Sequence, residues 1–366
     1  MKYGIVGIVG VPGNYGGFET LAEHLVCHHE QMSVDHELTV YCSAPAYNDK
    51  PAYFRSAKLE YINVKANGVQ SILYDIISIG RAAWTKTDLI LLLGVSGAVA
   101  IPFLRLFTKT KIITNIDGIE WKRSKWNIVA KLFLKFSEYI AVSYSNQVIA
   151  DNQEIFDYIK VKYSKTSKTI AYGGDHAVNL VAEPITNLVL PSNYAFSLCR
   201  IEPENNVDMI LESFSLRTNY NLIFVGNWSV SDYAKSLYAK YADKDNIYLL
   251  DPIYNLNKLF WLRDGAKIYI HGHSAGGTNP SLVEMMHFSK PIIAFDCAFN
   301  RCTTKNRAEY FSRSSELLDI LDLSVCKSFD ENAKCMYEIA SSDYTWTKVG
   351  AEYFALFEKV ANKDEQ

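Results

Sequence analysis

What most constrains this chain is an alternation that runs once, lapses and starts again. Short apolar runs rich in β-branched residues fall at 4–9, 38–42, 59–64, 89–93, 111–114, 147–150 and 168–171, each followed by a longer stretch. In the first such stretch Phe18, Leu21, Ala22, Leu25 and Val26 fall on one helical stripe. Parallel strands need a crossover to return to the same end of a sheet, so the pattern predicts a parallel sheet covered by helices. The pattern lapses after Tyr172-Gly173-Gly174-Asp175 and resumes with runs at 194–199, 222–225, 247–250, 268–271 and 291–295. The expected class is α/β, with two doubly wound Rossmann-like domains, 1–178 and 179–342, facing a central cleft. A terminal helix, 343–366, could cap either domain or cross back to the first.

Composition removes several other classes. Lys and Arg number 37 against 40 Asp and Glu, a net charge of −3, so no global positive field favours nucleic acid. Seven cysteines without a C-x-x-C pair read as core thiols of a reducing compartment. The uncharged stretch 89–104 is 16 residues long and broken by Gly94, Ser96, Gly97 and Pro102, which is short for a membrane span. With no export signal evident at the N-terminus, a cytoplasmic location is expected, with peripheral contact at the inner membrane face as an option.

Glycine-rich turns between a strand and a helix mark candidate anion sites, because backbone N–H groups there can approach a ligand closely. The first is Gly10-Val-Pro-Gly13-Asn-Tyr-Gly16-Gly17-Phe-Glu19. It is not G-x-G-x-x-G, and Val40-Tyr41-Cys42-Ser43 supplies no acidic residue at the second strand end, which weakens a dinucleotide reading. The second runs from His271 through Gly272-His273-Ser274-Ala275-Gly276-Gly277-Thr278-Asn279-Pro280-Ser281-Leu282-Val283 to Glu284. Asn279 is a good N-cap and Pro280 suits the first helical position, so the amides of Ser281 and Leu282 are expected to face a diphosphate. Glu284, one turn in, could accept sugar hydroxyls, or could simply be a solvated helix residue. His271 and His273 lack further ligands at zinc spacing, so no metal is expected, and one of them could donate to substrate.

Two further segments sit at predicted strand ends. Arg200 could clamp a phosphate, or pair with Glu202 or Glu204. Asp117, Glu120, Trp121, Lys122 and Arg123 share one loop, within a stretch, 105–135, that carries eight basic residues and two acidic ones. With Trp126, Leu132, Phe133 and Phe136 interleaved, that stretch could meet an anionic membrane or a phosphate-bearing acceptor, or be a solvated basic helix.

Together, Gly13-Asn-Tyr-Gly16-Gly17-Phe-Glu19, Asp117-Gly-Ile-Glu120-Trp121-Lys-Arg-Ser-Lys-Trp126, Arg200-Ile-Glu-Pro-Glu204-Asn205-Asn206 and Gly276-Gly-Thr-Asn-Pro-Ser-Leu-Val-Glu284 resemble a retaining GT-B glycosyltransferase of family 4. More narrowly the chain resembles the bacterial rhamnosyltransferase-like group that builds surface polysaccharides. The resemblance implies a nucleotide-sugar donor, dTDP- or UDP-linked with dTDP-L-rhamnose as first choice, and a saccharide acceptor, lipid-linked at a membrane face. No cofactor is implied. Donor contacts would come from Gly16, Gly17, Arg200, His273, Gly277, Thr278, Asn279, Ser281, Leu282 and Glu284, and acceptor contacts from Glu19, Glu120, Trp121, Lys122 and Arg123. Asp117, Arg200 and Glu284 would be the catalytic set. The family's paired glutamates would need Glu at 276, where Gly276 stands, and the lysine that often follows the arginine is replaced by Asn205 and Asn206. A GT-B nucleotide-sugar epimerase and a catalytically silent sugar-nucleotide scaffold are the alternatives.

Overall fold

Two parallel sheets account for the two runs of apolar segments. The computed structural model describes residues 1–13, 16–32, 35–123, 126–216, 220–326 and 329–362. They divide into one unit of Met1–Ala171 with Trp346–Gln366 and another of Tyr172–Thr345.

The first unit contains β1 (Lys2–Val6), β2 (Glu37–Ser43), β3 (Tyr53–Phe54), β4 (Ala57–Ile62), β5 (Leu89–Leu93), β6 (Lys111–Ile116), β7 (Gln147–Ala150) and β8 (Lys168–Thr169). Their order is β3-β4-β2-β1-β5-β6-β7-β8, parallel except for the β3–β4 pair. Helices α1 (Gly17–Gln31), α2 (Gln70–Trp84), α3 (Ile101–Phe107), α4 (Ile128–Tyr144) and α5 (Gln153–Tyr163) make the crossovers. All five residues of β5, Leu-Ile-Leu-Leu-Leu, are buried, as a central strand covered on both faces requires. Strand β1 stops at Val6, short of the apolar run that reaches Val9. Gly7 turns the chain at φ +91°, where a Cβ would lie 2.3 Å from the Leu93 carbonyl oxygen. The two-residue β3 is too short to show a period in the sequence.

The second unit contains β9 (Tyr194–Leu198), β10 (Asn221–Val225), β11 (Ile247–Leu250), β12 (Ile268–His271), β13 (Ile292–Phe295) and β14 (Glu309–Phe311), ordered β11-β10-β9-β12-β13-β14. Its helices are α6 (Val207–Ser215), α7 (Asp232–Tyr241), α8 (Leu256–Gly265), α9 (Pro280–Met286), α10 (Ala298–Thr303), α11 (Ser314–Cys326) and α12 (Asp330–Asp343). Phe214, Phe224, Ile270, Ile293 and Phe311 lie in one core cluster.

The last helix, α13 (Trp346–Ala361), belongs to the first unit and packs on α1. Trp346 stacks on His24 at 4.2 Å, and Phe354 on His28 and His29 at 5.7 and 5.8 Å. The Asn115 amide donates to the Tyr353 hydroxyl, tying the helix to β6. Burying Tyr353, Phe354 and Phe357 on one face makes α13 part of this unit's core, and truncating any one of these rings would cost about 3–5 kcal/mol.

In each sheet the strand order reverses at one place, between β1 and β5 in the first unit and between β9 and β12 in the second. Loops leaving the carboxyl ends of such neighbours diverge and leave a crevice, where ligands bind in open α/β sheets. Arg200 follows β9, and the turn from Gly272 to Asn279 follows β12.

Candidate functional site

Around the second unit's crevice the two loops are stitched together. The Asn206 amide donates to the Gly272 carbonyl at 2.8 Å, and the Ser274 hydroxyl and N–H both donate to the Glu204 carbonyl, at 2.7 and 3.0 Å. Asn205 donates to the Arg200 carbonyl at 2.7 Å. The asparagines that stand where a lysine was expected are therefore cross-links of the crevice wall. Asn206 also takes a left-handed φ of +50°, which asparagine tolerates better than lysine. Arg200 itself is 46% exposed and lies 3.9 Å from Glu202, a loose pair that leaves its guanidinium in solvent.

The helix start differs from expectation. Asn279 does cap α9, but its side chain accepts the Ser281 N–H at 3.1 Å and its carbonyl accepts the Leu282 N–H at 3.1 Å. These amides already have partners, because a good cap satisfies the donors that a bare helix start would offer. A phosphate would have to displace the cap to use the Ser281 N–H. Gly276, three residues earlier, has φ +118° with no atom within 4 Å of where a Cβ would stand. Space is available for a side chain, but the backbone conformation is one that L-residues rarely adopt, which accounts physically for glycine in place of the expected glutamate.

Glu284 is not a solvated helix residue. Its carboxylate is paired with the guanidinium of Arg263 on α8 and lies 3.4 Å from His176 Nε2, with side-chain exposures of 13% for Glu284 and 3% for Arg263. Burial alone would push the Glu284 carboxyl up; Arg263 and His176 outweigh it and hold the group at about 2, so it is ionised at neutral pH. Neither Arg263 nor His176 stands out in the sequence. The one available signal was a lone arginine in the apolar run Leu259-Phe-Trp-Leu-Arg263, where a charge must find a partner.

His271, the last residue of β12, and His273 just beyond it stack at 4.5 Å with an interplanar angle of 15°. His271 is 1% exposed, its Nε2 has no hydrogen-bond partner, and burial pulls its pKa down to about 3, so it is a neutral imidazole. His273 is anchored through its carbonyl, which accepts from Asn300 at 2.8 Å. Among the described residues no group of three His, Cys, Asp or Glu side chains is arranged to hold a metal ion.

In the first unit the glycine-rich turn is lined by carboxylates. Glu19 accepts the Val9 N–H at 2.9 Å and Glu23 accepts the Gly13 N–H at 3.1 Å. The Gly13 N–H, expected to face an anion, thus faces one of the chain's own acids, and burial raises the Glu19 pKa. Asn14 and Tyr15 lie outside the described residues. Gly16 precedes α1 and Gly17 begins it. On the loop after β6, Glu120 pairs with Arg123 at 2.9 Å and accepts from Trp126 at 3.0 Å. Trp121 donates to the Tyr158 hydroxyl at 3.3 Å, with the Lys162 ammonium 4.8 Å from its ring centre and that of Lys122 at 5.8 Å. Tyr158 and Lys162 converge with Tyr163 on buried Glu138, which accepts from all three. Asp117 is half-buried, and Ser124 and Lys125 lie outside the described residues. The structure therefore gathers Arg200, His273, Gly277, Thr278, Asn279, Ser281 and Glu284 on the loops and helix following β9 and β12. Glu120, Trp121, Lys122 and Arg123 form a separate group in the first unit.

Comparison with known proteins agrees with this division. Residues 2–175 match the family described as a domain of unknown function (DUF1972), and residues 183–311 match glycosyl transferases group 1. A search of curated proteins gives no match. Among solved structures, sucrose-phosphate synthase from Thermosynechococcus elongatus superposes with a TM-score of 0.79 at 11% identity, covering 98% of this chain and 99% of that one. HepE of Anabaena in complex with UDP and glucose gives 0.73 at 14% identity over 98% and 100%. The lipopolysaccharide outer core galactosyltransferase WaaB gives 0.69 at 12% over 98% and 100%. The fold is GT-B. A GT-B fold with a match to glycosyl transferases group 1 over 183–311 is what the comparisons give this chain.

Proposed function

We propose that this protein is a retaining glycosyltransferase of family 4, resembling the rhamnosyltransferase-like group. In this reading it transfers L-rhamnose from dTDP-L-rhamnose to a lipid-linked saccharide in bacterial surface polysaccharide synthesis. The observation that carries the reading is Glu284, held ionised by Arg263 and placed on the helix that follows the Gly276–Gly277 turn at the switch point of a group 1 domain. An ionised carboxylate keeps lone pairs for a ribose hydroxyl even while paired. With the Ser281 and Leu282 amides engaged, the diphosphate falls to Arg200, whose exposed guanidinium can swing onto it, and to the turn at Gly277 and Thr278. His273 offers a hydrogen bond to the sugar.

Charge develops on the leaving diphosphate as the glycosidic bond breaks, and a guanidinium placed there lowers the barrier. The departing phosphate oxygen takes the acceptor hydroxyl's proton on the same face, which gives retention without a protein nucleophile. Acceptor contacts fall to the first unit, with Asp117, Glu19, Lys122, Trp121 and the Glu120–Arg123 pair as candidates. Gly276 is explained by its backbone, so it is not by itself a mark of lost activity.

The test is a thermal-shift panel of dTDP, UDP, GDP and NAD with the corresponding nucleotide sugars, on wild type, Glu284→Ala and Arg200→Ala. Ligand that binds only the folded state must raise its melting temperature. Glu284→Ala will itself lower stability by stranding Arg263, so Arg200→Ala, at an exposed position, is the cleaner variant. A shift with dTDP-L-rhamnose that Arg200→Ala abolishes supports the reading. No shift with any nucleotide sugar overturns it.

A further inference from the structure

We infer that the paired helices α3 and α4 form a membrane-docking face that seats this protein on an anionic lipid surface. This goes beyond the sugar-transfer reading and does not depend on it. Among the described residues between 101 and 144, fourteen are exposed: nine are large apolar or aromatic residues, four are Lys or Arg, and one is Asn127. That composition is unlike an ordinary solvated surface, where apolar residues are scattered singly and both charge signs mix.

The pattern along α4 shows that the exposure is organised. Ile128, Val129, Leu132, Phe136 and Tyr139 fall within one narrow arc, since residues at i, i+4, i+8 and i+11 share a helical face. Leu134, Ser137 and Ala141 fill the opposite face and are buried. The helix is thus apolar on two sides, and only one has a partner. Helix α3 adds Phe103, Leu106 and Phe107, again at i, i+3 and i+4, and the last is 82% exposed. The two helices pack together, with the Arg105 guanidinium donating to the Tyr144 carbonyl at 2.8 Å.

Charge identifies the occupant. The exposed charged residues here are Arg105, Lys109, Lys122 and Lys135, while Glu138 is buried against Lys162 and Glu120 is paired with Arg123. An apolar stripe flanked by cations fits a surface that is apolar below and anionic above, which is a bilayer with acidic headgroups. No helix among the described residues is long and apolar enough to cross a membrane, so the contact proposed is peripheral.

Sedimentation with vesicles tests this without any sugar substrate, so its failure is distinguishable from failure of the catalytic reading. Wild type should co-sediment with vesicles containing phosphatidylglycerol, and far less with phosphatidylcholine alone. Leu132→Glu with Phe136→Glu, at positions 63% and 56% exposed, should weaken binding about tenfold or more with an unchanged melting temperature. Lys109→Glu should weaken it less and reduce its sensitivity to salt. Absence of binding to the anionic vesicles, or equal binding by the double variant, would overturn the inference. Lipid-free self-association that the double variant abolishes would also overturn it, assigning the face to a second copy of this chain.

Discussion

Each half of this protein buries a carboxyl group against the edge of a crevice, and the two are shifted in opposite directions. In the first unit Asp75 of α2 accepts hydrogen bonds from the Ser96 hydroxyl and the Gly97 N–H, in the loop that follows β5. Burial raises it to about 7, because two neutral donors only partly offset the lost hydration. In the second unit Glu284 is also buried, yet the Arg263 guanidinium and His176 hold it at about 2. Depth is similar; the partner differs. A cation turns a buried carboxyl into a permanent anion fit to accept hydroxyls, whereas hydroxyl and amide donors leave it poised near neutrality as part of a loop anchor.

The contrast can be broken most forcefully from the Arg263 side. Arg263→Met leaves Glu284 buried without its guanidinium, and the second unit should lose about 3–5 kcal/mol, read as faster amide exchange confined to 172–345. Adding Glu284→Gln should recover much of the loss while donor binding stays impaired, because the buried charge is gone but the anionic acceptor is too. If Arg263→Met changes neither exchange nor donor binding, the pair does not organise the site.

A pH series sharpens the comparison next. Asp75 has a folded pKa above its unfolded value, so its protonated form favours folding. Its contribution is fully present below about 4 and lost as pH rises through about 7. Glu284 behaves oppositely: its contribution is present above its ordinary value of 4.5 and lost as pH falls toward about 2. Exchange protection in the first unit should therefore fall between about pH 4 and pH 7, by up to a few kcal/mol, and Asp75→Asn should flatten that slope. A slope unchanged by the variant would remove Asp75 from the account.

Smaller effects come from the turn before α9. Gly276→Ala places a Cβ in open space but at a positive φ, and should cost about 1–2 kcal/mol with weakened nucleotide-sugar binding. A stabilised variant would contradict the backbone explanation for glycine here. Asn279→Ala removes the cap and should cost about 1 kcal/mol, while releasing the Ser281 N–H. Tighter donor binding by this variant would show that the cap competes with the diphosphate; weaker binding would make Asn279 a ligand or a positioner of the turn.

Much of the architecture was legible before any coordinates. The spans of β5, β7, β11 and β12 coincide with their apolar runs; β5 and β12 are buried throughout, and a strand buried on both faces must be apolar along its whole length while its flanks need not be. Strand β1 ended early because the limit was set by the Leu93 carbonyl on a neighbouring strand, which no local window contains. The site was legible in outline: Arg200, the Gly276–Asn279 turn and Glu284 follow β9 and β12. Its partners were not. Arg263 is 21 residues from Glu284, and the acids that occupy the first glycine loop, Glu19 and Glu23, look in sequence like ordinary first and second turns of α1.

The sequence by itself determined the two parallel sheets, the order of the motifs and the basic, apolar character of 105–135, because those depend on local periodicity and composition. Only the tertiary structure decided which backbone donors were already spent, which carboxyl is charged, and which apolar face is left uncovered. Hydrogen-bond satisfaction, pKa and exposure are set by whatever the fold brings within a few ångströms, and chain order does not specify those neighbours.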